Sequence, residues 1–228
     1  MNEYDAFYEE NVYPLQNGVL KTLAGCDAPF YLTGGTALHR HYFSYRYSDD
    51  LDLFIQSDPH YGEHVDEALD AIRDAGFRID QDMFIRGDHY TRIVVIEDDI
   101  PLRIDLVNDT APYFGTYESG ELFPRIDNLR NILSNKLTAL YRLEIKDTVD
   151  LWAICKRLPF DWGELLDEAT QKEVGIDAAT IADVIKSVPE HLFDELRWKN
   201  RPDRVTFFHD IRRLADDLLH VRMNSLGP

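Results

Sequence analysis

The sequence predicts an α+β fold, in which a small mixed β-sheet flanked by helices precedes an all-helical region. Short β-type runs alternate with helical runs before residue 108, whereas the pattern after residue 125 is helical almost throughout. Asparagine, proline and glycine cluster between these two positions and predict a loop. We therefore expect two domains, an α+β domain over residues 1–124 and a helical domain over residues 125–228 that completes a cleft.

The β-type and helical runs of the first domain follow one another in a clear order. The β-type runs cover residues 30–32, 51–55, 77–85, 90–96 and 102–107. Helical runs over 36–42 and 61–75 lie between them, and the second is followed by Gly76, a frequent residue at helix C-termini. Short turns separate the last three β-type runs, which predicts a meander.

The chain is strongly acidic. Its 228 residues include 42 Asp and Glu against 24 Lys and Arg, a net charge of −18. Such a surface repels nucleic-acid phosphates on average, which argues against a general DNA-coating role but not against an enzyme with one basic groove. Basic residues do concentrate locally, since residues 196–213 contain six of them against two acids.

The cysteines and the hydropathy pattern indicate the cellular compartment in which we expect the protein. The only two cysteines, Cys26 and Cys155, have no C-x-x-C spacing, which predicts a reduced, cytoplasmic compartment. No run approaches the roughly 18 apolar residues of a membrane span, so we expect no membrane partner. With 44% hydrophobic residues, the chain can form an ordinary core without disulfides.

The sharpest chemical signal is the Asp-x-Asp pair formed by Asp50 and Asp52. If Leu51, Leu53 and Ile55 face the core, strand alternation puts both carboxylates on the opposite face, roughly 6.5–7 Å apart. Like charges at this distance repel unless a cation lies between them, and Mg²⁺ prefers carboxylate oxygens. A solvated strand end is the alternative interpretation, because Asp is common at turns.

A third acid, Asp105, lies in another apolar β-type run. Ile104 and Leu106 flank it, so alternation again places the carboxylate opposite the apolar face. Three acids from two strands could hold two Mg²⁺ ions, as two-metal phosphoryl transfer requires.

Gly34, Gly35 and Thr36 follow the first predicted strand and open a helix. Glycines allow a phosphate to approach the backbone closely, and the N–H groups of the next helical turn favour its negative charge. A plain turn with Thr36 as the N-cap is the alternative. The segment matches neither a Walker loop nor G-x-G-x-x-G, which excludes a P-loop NTPase and a Rossmann dehydrogenase.

Lys136 falls inside the apolar arc of a predicted helix, about 40° from Ile132 at 100° per residue. Because burial of an unpaired ammonium is costly, this lysine must reach water at the domain interface or meet an anion, either a triphosphate or an acid of the site. Asp147 and Asp150 have the spacing of a capping box, which offers a purely structural role for Asp147.

The glycine pair, followed by residues 46–54, resembles the signature of the AbiEii/AbiGii toxin nucleotidyltransferases, members of the DNA polymerase β-like superfamily. The run Lys136–Leu140 and the later Lys146-Asp147 pair are similar to the downstream motif of that family. The resemblance covers roughly residues 29–155, and the remainder of the chain matches no known motif.

This resemblance implies that an acceptor attacks the α-phosphate of an NTP and that pyrophosphate leaves. Asp50 and Asp52 would hold two Mg²⁺ ions, with Mn²⁺ as an alternative ion, and Asp105 would bind the acceptor-side metal or act as base. The nucleotide-binding residues that it implies are Gly34, Gly35, Thr36, Arg46, Ser48, Lys136, Lys146, Asp147 and Asp150. Arg46 and Ser48 could instead brace the glycine loop, and Arg46 could pair with Asp49 or Asp50.

The resemblance further implies a macromolecular acceptor, RNA such as tRNA, and the role of a toxin in a toxin–antitoxin or abortive-infection system with a cognate antitoxin protein. Two alternatives stay open. The acidic surface could attract a small cationic acceptor resembling an aminoglycoside. The chain could also be a non-catalytic module that binds a nucleotide or a partner.

Overall fold

The computed structural model describes residues 4–228 and divides into two compact units. The first comprises the chain up to Thr110 together with Thr116–Asp127, and the second comprises Ala111–Gly115 together with Asn128–Pro228. The first unit combines a mixed sheet with helices and the second is helical, so the predicted α+β fold class is confirmed.

The first unit begins with a continuous helical run. It consists of α1 (Asp5–Phe7), a π-helical turn (Tyr8–Val12) and α2 (Tyr13–Leu23). The other helices of this unit are α3 (Gly34–Ala37), which continues as a second π-helical turn (Leu38–Tyr42), and α4 (Tyr61–Asp74). As predicted, α4 ends just before Gly76, whose φ of 88° places it in the left-handed region.

One mixed sheet of six strands organises this part of the described chain. Its strands are β1 (Tyr31–Thr33), β2 (Leu51–Gln56), β3 (Arg78–Ile79), β4 (Ile85–Arg86), β5 (Tyr90–Glu97) and β6 (Ile100–Asp109). The order is β1-β2-β6-β5-β3, with β4 also paired to β5. The β2–β6 pair is parallel and the other pairs are antiparallel.

The register of β2 and β6 aligns the acids. Leu51, Leu53 and Ile55 are buried, and the residues between them are half-buried, so the predicted alternation is confirmed. Asp52 is the direct partner of Asp105 across the parallel pair. Neighbouring strands lie about 4.8 Å apart, so these two acids extend side by side from one face of the sheet.

The predicted strand over residues 77–85 is wrong for most of its length, because only β3 and β4 have strand pairing there. Between them, the backbone N–H of Asp82 donates a hydrogen bond to the carboxylate of Asp80 at 2.9 Å. Such a local bond competes with the ladder of a sheet. The predicted turn between β5 and β6 is confirmed, since Asp98 and Asp99 form a tight connection with φ values of 48° and 63°.

The second unit contains helices joined by short loops. They are α5 (Leu129–Ala139), a 3₁₀ turn (Leu140–Arg142), α6 (Ile145–Cys155), α7 (Trp162–Lys172), α8 (Ala178–Lys186), α9 (Leu192–Glu195) and α10 (Arg204–Leu219). An Asn or Asp side chain caps the start of four of them, at Asn128, Asp161, Asp177 and Asp203. Within residues 4–228, no helix is both long and apolar enough to cross a bilayer.

Candidate active site

Gly34 is the point where the glycine segment meets the acids. Its φ of 68° lies in the left-handed region, which side chains rarely adopt. A Cβ atom at this position would lie 2.1 Å from Oδ2 of Asp52. Both the backbone conformation and the approach of the carboxylate therefore require glycine at position 34.

Gly35 makes the corresponding contact with the segment before the acids. A Cβ atom here would lie 2.5 Å from Nη2 of Arg46 and 2.8 Å from Oγ of Ser48. The two sequence motifs, glycine pair and Asp-x-Asp segment, are thus packed against each other residue by residue. The structure brings them together as one loop system at the edge where β1 and β2 pair.

Three of the predicted nucleotide-binding side chains are buried in this loop system. The Thr36 hydroxyl donates to the carbonyl of Asp50 and lies 3.0 Å from Oγ of Ser48, while Nη1 of Arg46 donates to the carbonyl of Tyr47 at 2.9 Å. These contacts correspond to the bracing alternative. Thr36 is not an N-cap, because α3 begins two residues earlier, after Thr33.

Two of the acids share one guanidinium. Arg103 donates from Nη2 to Oδ2 of Asp50, and its Nε lies 3.5 Å from Oδ2 of Asp105. A positive charge therefore already lies between Asp50, which directly precedes β2, and Asp105 in β6. The observation that these carboxylates converge on a single cation supports the predicted proximity of the acids.

Asp105 is held by two side chains of β5, Tyr90 and Arg92. Arg92 binds it in a bidentate manner, with Nε 2.9 Å from Oδ1 and Nη2 3.2 Å from Oδ2, and the Tyr90 hydroxyl donates to Oδ1 at 3.0 Å. Bidentate charge-assisted bonds fix a carboxylate in orientation as well as in position. Burial, and next the charge of Asp105, raise the pKa of Tyr90, so its hydroxyl stays a donor at neutral pH.

Sequence reasoning missed Tyr90, Arg92 and Arg103. A signal for Arg103 was available, since it stands two residues before Asp105 and must share its face of β6. Arg92 lies directly opposite Asp105 on β5, but that pairing depends on the register of the two strands. Register is not readable from a single strand, so Arg92 and Tyr90 carried no comparable signal.

The donor set suits a hard divalent cation. Within residues 4–228, no group of three or more His, Cys, Asp or Glu side chains could hold a metal ion as arranged. The three carboxylates nevertheless offer only oxygen ligands on one face of the sheet, and Arg103 shows that a cation fits between two of them. A metal ion would therefore have to replace that guanidinium.

The second unit holds a separate charged cluster. Nζ of Lys136 lies 2.9 Å from Oδ1 of Asp147 and 2.7 Å from Oδ2 of Asp150. Of the two alternatives for this buried lysine, water or an anion, the structure therefore shows an anion, in the form of an acid pair. The capping-box interpretation of Asp147 is wrong, because α6 begins at Ile145 with Glu144 as its N-cap. Lys146 pairs with Glu144, at 2.7 Å between Nζ and Oε2.

The basic stretch over residues 196–213 is less basic in the structure than in the sequence. Three of its arginines pair with acids from outside the stretch. Those arginines are Arg201, Arg204 and Arg212, and the acids are Glu190 and Asp194. Much of the local positive charge is thus neutralised within the second unit.

Solved structures share this fold. A Helicobacter pylori protein described as a "putative nucleotidyltransferase" has a TM-score of 0.64 and 20% identity, over 96% of this chain and 96% of that chain. JHP933 from Helicobacter pylori has a TM-score of 0.60 and 19% identity, over 96% of this chain and 94% of that chain. This chain therefore shares its fold with both of these proteins.

The family follows from the sequence itself. The model of the family described as "Nucleotidyl transferase AbiEii toxin, Type IV TA system" matches residues 19–220. The chain belongs to this family, which confirms the resemblance seen in its motifs and extends it beyond residue 155. Membership implies an NTP substrate and an antitoxin partner. No curated protein shows significant similarity to the sequence.

Proposed function

We propose that this nucleotidyltransferase toxin transfers an NMP from an NTP to an acceptor, assisted by divalent cations held by Asp50, Asp52 and Asp105. The observation that carries the proposal is the direct packing of the glycine loop on the acids, with the Asp52 carboxylate against the backbone of Gly34. A phosphate that approaches this backbone also approaches the carboxylates that would bind its metal.

Different residues of the chain would bind the triphosphate and hold the metal ions. Gly34 and Gly35 leave their backbone open to a triphosphate. Asp105 keeps a fixed orientation through Arg92 and Tyr90, as either a metal ligand or a base. Two Mg²⁺ ions, or Mn²⁺ ions in their place, would polarise the α-phosphate and offset the charge of the departing pyrophosphate.

The family resemblance also predicts that residues outside the glycine pair contact the nucleotide, and this stays a prediction. Thr36, Arg46 and Ser48 would act chiefly by keeping the glycine loop against the acids, because their polar groups bond within that loop. In the second unit, the residues predicted to contact the nucleotide are Lys136, Lys146, Asp147 and Asp150.

The acceptor we favour is RNA, tRNA included, which the family resemblance implies and the local basic stretch over residues 196–213 supports. A small cationic acceptor is the second candidate, and two observations favour it. The net charge of −18 attracts cations, and the basic stretch that would contact RNA is partly neutralised by Glu190 and Asp194.

One experiment distinguishes the two candidate acceptors from a non-catalytic role. The full-length protein is incubated with each α-³²P-labelled NTP, Mg²⁺, and either total RNA or an aminoglycoside. We expect label on RNA for the favoured acceptor and on the small molecule for the second candidate. Asp52→Asn should abolish labelling, whereas the matched variant Asp49→Asn, at an exposed neighbouring acid, should retain it. Absence of label in every wild-type reaction would indicate a non-catalytic binding module instead.

A further inference from the structure

An open cavity of about 920 Å³ lies in the first unit, between the helical run at the start of the chain and the loop over residues 120–124. This volume is within the range of ligand-binding sites in proteins, roughly 300–1,000 Å³. Three basic side chains line the cavity, namely Lys21, Arg40 and His41, against one acidic residue, Glu121. The lining thus carries the positive charges of Lys21 and Arg40 against the single negative charge of Glu121, in a chain whose net charge is −18.

Arg40 is the central group of this lining. It is half-buried, and its guanidinium donates to two neutral amide oxygens, Oε1 of Gln16 at 2.9 Å and Oδ1 of Asn17 at 2.6 Å. The guanidinium also lies 4.3 Å from the centre of the Tyr13 ring. Within residues 4–228, no carboxylate forms an ion pair with it. Burial lowers the pKa of Arg40, and the interactions with Tyr13 and Glu9 act in the opposite direction.

Several other arginines of the first unit form ion pairs with acids. Arg86 lies 2.5 Å from a carboxylate oxygen of Asp66, and Arg92 is bound by Asp105. The hydrogen bonds of the Arg40 guanidinium go to two amide oxygens, and Glu9 contributes a nearby negative charge without an ion pair to this guanidinium. Because a guanidinium has five N–H donors, others are available to an external anion. Guanidinium groups bind phosphate in the same bidentate manner as they bind carboxylates.

The other two basic groups face the same space. Lys21 lies in the last turn of α2, is exposed, and forms no ion pair with any described residue. His41 is half-buried, with Nε2 3.7 Å from Oε2 of Glu118. An oxyanion in the cavity could therefore be reached by Arg40 from the wall and by Lys21 from the rim.

Gln16 connects this cavity to the candidate active site. While its Oε1 accepts from Arg40, its Nε2 donates to the carbonyls of Ser48 and Asp49 at 2.9 and 3.1 Å. The Gln16 side chain is fully buried, so the amide has a single defined orientation. The segment that leads into Asp50 is thus held by the residue that also positions Arg40.

We propose that this cavity is a second phosphate-binding site, in which Lys21, Arg40 and His41 hold a phosphate group that is not the triphosphate of the NTP. The phosphate would come from the backbone of an RNA acceptor or from a free phosphate ion. If the phosphate comes from RNA, the inference rests on the proposed function and extends it. If the ligand is free phosphate, the inference does not depend on the proposed function.

The test is a titration of the ¹⁵N-labelled full-length protein in EDTA, followed by NMR at constant ionic strength. The ligands are inorganic phosphate and a short single-stranded RNA without terminal phosphates. We expect saturable shifts of amide signals from residues 17–24, 40–41 and 120–124. Arg40→Gln should raise Kd by about fivefold and Lys21→Gln by about threefold, the loss expected for one solvent-accessible ion pair. Lys186→Gln, which removes an exposed charge in the second unit, should leave Kd unchanged.

Each outcome bears on the proposal. Weaker binding of both ligands in the cavity variants supports a general phosphate site, and weaker binding of RNA alone assigns the site to the phosphodiester backbone. Wild-type binding without shifts at the cavity, or equal Kd values for all variants, would overturn it. If Arg40→Gln fails to fold, the exposed Lys21→Gln variant decides the matter. Because no NTP or metal is present, failure of the nucleotidyl-transfer assay would leave these results intact.

Discussion

The two units each hold a cation between two aspartates, but in different surroundings. In the first unit, Arg103 lies between Asp50 and Asp105, and the side chain of Arg103 is 39% exposed. In the second unit, Lys136 lies between Asp147 and Asp150, and the side chain of Lys136 is 11% exposed. The arrangement of charges is similar, whereas access to solvent is not.

This difference separates a replaceable cation from a fixed one. Exposed ion pairs contribute only about 0–1 kcal/mol, so another cation can displace Arg103 at little cost. A buried pair must keep both partners, because loss of one leaves an uncompensated charge away from water. We therefore expect substitutions in the first cluster to affect chemistry and substitutions in the second to affect stability.

The largest effect is expected for Asp50→Asn. Loss of one carboxylate from the donor set should reduce transfer by at least about 10³-fold, or about 4 kcal/mol of barrier, while the free energy of unfolding changes by less than about 1 kcal/mol. Initial rates of label transfer and urea unfolding measure the two quantities. A variant that transfers at the wild-type rate would exclude Asp50 from the metal site.

The buried cluster should show the opposite pattern. Asp150→Ala leaves Lys136 with one acid fewer in a buried site and should lower the free energy of unfolding by about 3–5 kcal/mol in urea. Lys146→Gln is the control, because it breaks an exposed pair with Glu144 and should cost less than about 1 kcal/mol. Equal stabilities of these two variants would contradict the assignment of a structural role to the buried cluster.

The glycine loop can be tested with two matched glycines. Gly34→Ala and Gly76→Ala both place a side chain at positive φ, which costs about 1–2 kcal/mol. Only at position 34 would the new Cβ collide with Asp52, since nothing lies within 4 Å of a Cβ at position 76. Gly34→Ala should therefore be the less stable of the two in urea and should lose transfer activity. Comparable activity in both variants would show that the contact with Asp52 is dispensable.

The smallest effect concerns the exchange of cations. Arg103→Gln removes the competitor for Asp50 and should lower the Kd for Mn²⁺ by a few fold, since one exposed pair is worth about 1 kcal/mol or less. Isothermal titration calorimetry without NTP measures this Kd. Arg78→Gln, an exposed arginine in β3, is the control and should bind Mn²⁺ as the wild type does. Unchanged or weaker binding in Arg103→Gln would argue against displacement.

Strand alternation was enough to predict the shared orientation of Asp50 and Asp52, because a period of two is a local property of the chain. It also placed Asp105 on one face of its strand. The partners of these acids could not be predicted, since the contact of Arg92 with Asp105 depends on the register between β5 and β6.

In the second unit, helical periodicity likewise predicted the position of a side chain but not its partner. The position of Lys136 on its helix showed that this lysine would meet an anion or reach water. Which anion it meets depends on how α5 packs against α6, a tertiary property. The strand expected over residues 77–85 failed for the related reason that a side-chain contact of Asp80 overrode local β-propensity.

The fit of the Asp52 carboxylate into the space left by Gly34 also affects how the toxin can be inactivated genetically. In a selection for surviving cells, missense changes at the codon for residue 34 should disarm the protein as effectively as changes at the codon for residue 52. Escape mutations are thus expected at a position that carries no reactive group at all, where the essential feature is the missing side chain.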